Sequence, residues 1–239
     1  MSKNIIEIRP DPIITSTVEI RFASNINDED VLSTFYGIFG KNYPKVTDKG
    51  VPKQLKAVAP EFRNQADYIL SNSDYSISVG KNVIAFENVG GYKLWKNYYE
   101  IITENLKVFD SLKRVSSINR IGVRYASIFD AQKVEDVLNL NFSINHDNYL
   151  QTGDIFRTLL AKDNIQLHLQ VIQKVQASKG NEKKEGLYID IDASQEVNLP
   201  DKFDTDLYKI IDKLHMEEKK LFEFLIKNEF LNKLEVKYK

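Results

Sequence analysis

The order of periodicities along the chain predicts an α+β fold, a mainly antiparallel sheet with long amphipathic helices packed on it. Three observations carry this expectation. Apolar and polar residues alternate strictly in several short runs, the period of half-buried strands. Short polar turns join successive runs, which suits antiparallel pairing rather than a Rossmann-like sheet. The period then lengthens to 3.6 in two long segments, each of which follows a hairpin.

The first strand is expected over 15–23, where Val18, Ile20 and Phe22 face one way and Thr17, Glu19 and Arg21 the other. A helix follows. Asn27 or Asp28 is placed to cap it, and Val31, Leu32, Phe35 and Phe39 form its stripe before Gly40 ends it. Residues 41–64, broken by Pro44, Gly50, Pro52 and Pro60, read as a lysine-bearing surface loop. Tyr75, Ile77 and Val79 alternate with serines, and Gly80-Lys81-Asn82 turns the chain into a partner strand over 83–86.

After Gly90-Gly91 the spacing becomes helical. Trp95, Tyr99, Ile102, Leu106 and Phe109 share one face, while Tyr92 and Tyr98 sit partly off it, as candidates to line a pocket or a partner interface. The strand over 117–129 places Ile121, Val123 and Tyr125 opposite Arg120, Gly122 and Arg124. Residues 131–160 suggest a short helix or turn and one weak strand, with Phe142 and Ile144 inward. Ile165, Leu167, Leu169 and Val171 begin a second hairpin. It returns through a polar loop over 178–186 to Leu187, Ile189 and Ile191, with Tyr188, Asp190 and Asp192 on the other face. A helix capped by Asp204 or Thr205 closes the order, its stripe including Leu207, Ile211, Leu214 and Leu225. Asn228 ends it, and Phe230, Leu231 and Leu234 dock a last turn. The whole reads as a single α+β domain over 1–239, and its hairpin-then-helix succession allows two similar halves at about 1–130 and 131–239.

Composition excludes several function classes. The chain has 239 residues, 42% hydrophobic, enough for a real core. A formal net charge of −1 disfavours a nucleic-acid binder, which would have to rely on the lysines of the 41–56 loop and the 174–184 hairpin. With no cysteine there is no disulfide, thiolate metal site or cysteine nucleophile. The opening MSKNIIEIRPDP does not resemble a signal peptide, and no apolar run approaches the ~18 residues that a membrane span needs. A cytoplasmic protein without a membrane segment is expected. No phosphate-wrapping glycine loop, nucleophile elbow or zinc-binding histidine spacing is present.

Charges on strand faces remain. Glu19 and Arg21, Arg120 and Arg124, and Asp190 and Asp192 each share a polar face opposite an aliphatic one. They form either a solvated face with structural ion pairs, or a site in which Arg120 and Arg124 hold an anion while the carboxylates orient them. Asp190 and Asp192 are the candidate pair for Mg²⁺, a hard cation that takes oxygen ligands. No other cofactor is expected. His215, beside the apolar stripe of the last helix, is either a core-edge histidine or a proton carrier near neutral pH.

Several segments resemble a sporadically distributed, uncharacterised prokaryotic protein family of similar length. They are Val18–Phe22 (V-E-I-R-F), Tyr92 and Trp95 (Y-x-x-W), Arg120–Tyr125 (R-I-G-x-R-Y), Leu187–Asp192, and Leu214-His215 with Phe222-Glu223. Ala126 stands where the family pattern often has Asn. The resemblance runs over roughly residues 12–232 and implies a shared fold. Its patchy distribution suits mobile or defence-associated genes. The expected function is non-enzymatic protein binding or regulation, as partner of a toxin or phage-defence effector or as a homodimer. The alternative is a binder or processor of a phosphate-containing small ligand on the charged sheet face.

Overall fold

The structure is a computed structural model and describes residues 3–50, 62, 64–140, 155–179, 182–200 and 203–239. The expected α+β class is found. One sheet of nine strands runs in the order β3-β4-β5-β6-β2-β7-β10-β9-β8. Its strands are β2 (Ile13–Ser24), β3 (Lys45–Asp48), β4 (Tyr68–Ser71), β5 (Tyr75–Gly80), β6 (Val83–Asn88), β7 (Val115–Asp130), β8 (Ile155–Lys162), β9 (Ile165–Lys179) and β10 (Glu182–Pro200). A separate pair joins β1 (Ile5–Arg9) to β11 (Glu235–Tyr238). The helices are α1 (Val31–Phe39), α2 (Trp95–Asp110), α3 (Val134–Val137), α4 (Thr205–Leu225) and α5 (Asn228–Leu231).

The chain forms two compact units that interleave along the sequence. One comprises Thr17–Val123 and Ser194–Leu214, the other Met1–Ser16, Arg124–Ala193 and His215–Lys239. The hairpin-then-helix succession does recur, as β5–β6 with α2 and β9–β10 with α4, but compactness follows a different division from the one at residue 130.

In the first unit, β2 and β5 both pair antiparallel with β6, which lies between them. The chain passes from β2 to β5 through α1, and from β6 to β7 through α2, with β2 between β6 and β7. These are two split β-α-β crossovers, the ferredoxin-like connection. Val18, Ile20 and Phe22 of β2 are buried as their alternation demands. Phe109 of α2 gathers Phe22, Phe35 and Phe203, with ring centroids 5.2, 5.4 and 5.1 Å away. Such aromatic contacts add to area burial in holding helices on a sheet.

Several local expectations are corrected. The N-cap of α1 is Asp30 rather than Asn27 or Asp28, and it makes no side-chain cap bond. Asn27 instead donates to the Asp30 carboxylate at 2.9 Å. Gly40 does end α1 as its C-cap, but right-handed at φ −58° rather than left-handed. Part of the 41–64 stretch is strand: β3 pairs with β4, and neither alternation is long enough to reveal itself in sequence. Asn228 begins α5 instead of ending α4. Asp204 does cap α4, its carboxylate accepting from the Asp206 N–H at 3.0 Å. Phe142 and Ile144 lie outside the described residues, as do parts of both lysine-bearing loops.

The buried stripe of α2 is Tyr98, Ile102, Asn105, Leu106 and Phe109, while Trp95 and Tyr99 are half-buried. Tyr98 therefore lines no pocket. Its ring is fully enclosed, and its hydroxyl donates to the Phe86 carbonyl at 2.6 Å, which allows a polar tip to enter the core. Burial raises its pKa well above the ordinary phenol value. Trp95 instead donates its Nε1–H to Asp212 at 2.8 Å.

Candidate functional site

The charged strand faces separate into two clusters. In the first unit, Glu19 is shared between two arginines: Arg21 Nε lies 2.7 Å and Arg120 Nη1 3.0 Å from the same carboxylate oxygen. Arg120 Nε also lies 3.7 Å from Glu196. One carboxylate between two guanidiniums is a mutually satisfied network, so Glu19, Arg21 and Arg120 account for one another structurally. Tyr92 belongs to this unit too, half-buried in the turn before α2.

The second unit carries a concavity. Its strands β7, β10, β9 and β8 are neighbours in that order, and alternation sets their two faces. Leu187, Ile189 and Ile191 of β10 and Ile165, Leu167, Leu169 and Val171 of β9 are buried on one face. Tyr125 and Phe129 of β7 share it and meet His215 and Phe222 of α4, with ring centroids 5.5 and 6.5 Å apart. The opposite face presents Arg124, Asp190, Asp192, His168, Gln170 and Arg157 around a concavity of about 430 Å³. On β8 and β9, Arg157 stands opposite Gln170 and Leu159 opposite His168.

Arg124 is fixed as a fork. Its Nε and Nη2 donate to the two oxygens of Asp190 at 2.9 and 2.6 Å, and the Tyr188 hydroxyl donates to the same carboxylate at 3.1 Å. The Asp190 hydrogen bond raises the Arg124 pKa further, so the guanidinium stays charged at all working pH. Asp190 is nearly buried while Arg124 is half exposed. The carboxylate thus fixes the guanidinium, with Tyr188 beside both, at the wall of the concavity that Arg124 lines. The side chains of Arg157 and His168 have no hydrogen-bond or ion-pair partner among the described residues, and both are exposed.

Arg124, Asp190 and Asp192 thus line the concavity together, whereas Glu19, Arg21 and Arg120 form a cluster of their own. The Mg²⁺ pair does not stand as a free dicarboxylate, because Asp190 spends both oxygens on Arg124. Among the described residues no three His, Cys, Asp or Glu side chains gather as a metal site requires. Arg157 carries no clear signal in the sequence because β8 alternates weakly: its apolar residues fall on both faces.

His215 is a core residue of α4, 7% exposed. Burial, and secondarily Lys219, lower its pKa to about 3, so it stays neutral where a proton carrier would have to titrate. In the unfolded chain the imidazole takes a proton below about 6.5, whereas the folded one refuses it down to about 3. Its contribution to stability is complete above pH 6.5 and is lost as pH falls, by about 1.4 kcal/mol per unit. Glu218, buried on the same helix, opposes it. Burial pushes its carboxyl well above 4.5, so its contribution is complete below 4.5 and fades as pH rises. His215→Leu should remove the acid-side loss, so that the melting temperature of the variant falls less than that of the parent between pH 6.5 and 4.5. Parallel melting curves across that range would refute the assignment.

No helix among the described residues is long and apolar enough to cross a membrane. The chain matches no protein-family model, no curated protein and no solved structure.

Proposed function

We propose that the protein is a binding protein that recognises an anionic group, phosphate or carboxylate, in the concavity lined by Arg124, Arg157 and His168. One observation carries this: the Arg124 and Arg157 guanidiniums and the His168 imidazole line one concavity of about 430 Å³, and the side chains of Arg157 and His168 have no hydrogen-bond or ion-pair partner among the described residues. Arg124 is pre-oriented by Asp190, so little side-chain freedom is lost when an anion arrives. Asp192 on the same wall selects against bulk anionic charge and favours a single, well-placed anionic group.

Titration of inorganic phosphate, ATP and glutarate, followed by calorimetry, tests it. Arg157→Ala should weaken binding roughly tenfold or more, because a charge-assisted hydrogen bond is lost. Its melting temperature should stay close to the parent's, since the side chain is exposed. Arg120→Ala should leave the affinity unchanged, because Arg120 is engaged with Glu19 and Glu196. Absence of heat with all three probes would reject the site.

The protein-binding function expected from the sequence uses the same chemistry if the carboxylate is a side chain of a partner, a toxin or phage-defence effector included. The exposure of Ile155, Leu159 and Leu160 on β8 favours it.

A further inference from the structure

β8 is the last strand of the sheet, and among the described residues nothing pairs with its outer edge. Its inner edge pairs with β9 in unbroken register from Ile155↔Ile172 to Lys162↔Ile165. Eight residues of regular backbone therefore hold an alternating row of N–H and C=O groups outward. Proteins usually blunt such an edge with proline, a bulge, charges or shortness. The other end of the sheet does this: β3 has four residues, begins with Lys45 and ends with Asp48. β8 has no proline and no bulge, and of its two charges Lys162 is tied to Glu217 at 2.9 Å. Ile155 is 67% and Leu159 55% exposed.

We infer that β8 is a docking edge, where an extended acidic segment of a partner protein adds as a further strand and places its carboxylate in the concavity. This inference rests on the anion-binding function proposed above and names what carries the anion. Charge selects the occupant, since Arg157, the ionised side chain of β8 that Glu217 does not pair, is a cation. Geometry selects its pattern. Ile155, Arg157 and Leu159 share the face of the concavity, which Arg157 and Leu159 themselves line. Side chains directly opposite across a strand pair approach within about 5 Å. The incoming strand therefore needs an apolar residue, an acid two positions on, and another apolar residue two further on. That pattern reads the same in either direction, so parallel and antiparallel docking select one motif. Main-chain hydrogen bonds supply affinity and the alternate side chains specificity, the mode of strand addition.

The probe is the heptapeptide acetyl-Thr-Val-Thr-Glu-Thr-Val-Thr-amide, with glutarate as the free carboxylate. Expected results are tighter binding of the peptide than of glutarate, slowed hydrogen exchange at alternate β8 amides, and loss of binding when the peptide is N-methylated at alternate positions. Replacing its Glu by Gln, or Arg157 by Ala, should weaken it roughly tenfold. If glutarate or phosphate binds but the peptide does no better and β8 exchange is unchanged, strand addition is refuted and the anion site stands. If none of the probes binds, both fall. Protection of β8 amides without peptide, rising with protein concentration, would give the edge to a second copy and overturn the inference.

Discussion

Gly186→Ala is expected to destabilise the protein by roughly 3 kcal/mol or more, among the larger effects a single methyl can have. A Cβ at this position of β10 would lie 2.0 Å from the Phe129 carbonyl oxygen, 2.8 Å from its carbon and 3.0 Å from the Ala131 nitrogen. All three are backbone atoms, so no side chain can swing away. The strands cannot part cheaply either, because the Ala131 N–H donates to the Glu185 carbonyl at 2.9 Å beside the contact. For a chain of this size the melting temperature should fall by roughly 10 °C. Gly37→Ala is the opposite control. Gly37 is exposed within α1, and nothing lies within 4 Å of the place its methyl would take, so alanine should stabilise by about 0.5–1 kcal/mol through helix propensity. Urea unfolding of both variants checks the pair. A Gly186→Ala protein as stable as the parent would mean that β7 and β10 are not in this register.

Glu223→Ala is expected to cost a comparable amount, roughly 3–5 kcal/mol. This carboxylate, 1% exposed on α4, accepts from three successive backbone N–H groups, Lys3 at 2.7 Å, Asn4 at 3.2 Å and Ile5 at 2.8 Å. Hydrogen bonds to an ionised group are stronger than neutral ones, and removing it leaves the donors without their acceptor. The Lys3 ammonium adds a bond to the Ile226 carbonyl on the same anchor. Local opening should accompany the global loss: amides of β1 and β11 should exchange faster than those of β9 and β10, since the two-stranded sheet is tethered through this carboxylate. Glu223→Gln keeps one acceptor oxygen and should recover part of the stability. Unchanged exchange at β1 in the alanine variant would remove the anchoring role.

The same residue shows how far the chain is legible as a sequence. Nothing in the neighbours of Glu223 along the sequence says which backbone its carboxylate holds, because the N–H groups it accepts from are more than two hundred residues away. Gly186 reads as one more residue of a polar hairpin loop. Its role exists only because the backbone of Phe129 and Ala131, at the end of β7, comes so close to it. Arg120 and Arg124 read as equivalent, four residues apart on one strand face. Cross-strand neighbours make them different: Arg120 pairs with Glu19, whereas Arg124 is held by Asp190 at the wall of a concavity.

By itself the sequence determined the α+β class, the long strands β2, β7, β9 and β10, the helices α1, α2 and α4, and most of the residues that face inward, the first turn of α2 with Tyr98 excepted. These follow from periods of 2 and 3.6, which are local properties. It left unread the short strands β1, β3, β4 and β11, because four or five residues hold too little alternation. Only the tertiary structure decided the strand order, the division into two interleaved units, and the meeting of Arg124, Arg157 and His168. Those depend on which strands become neighbours, and the free energy that selects neighbours is spread over contacts between residues far apart in the chain.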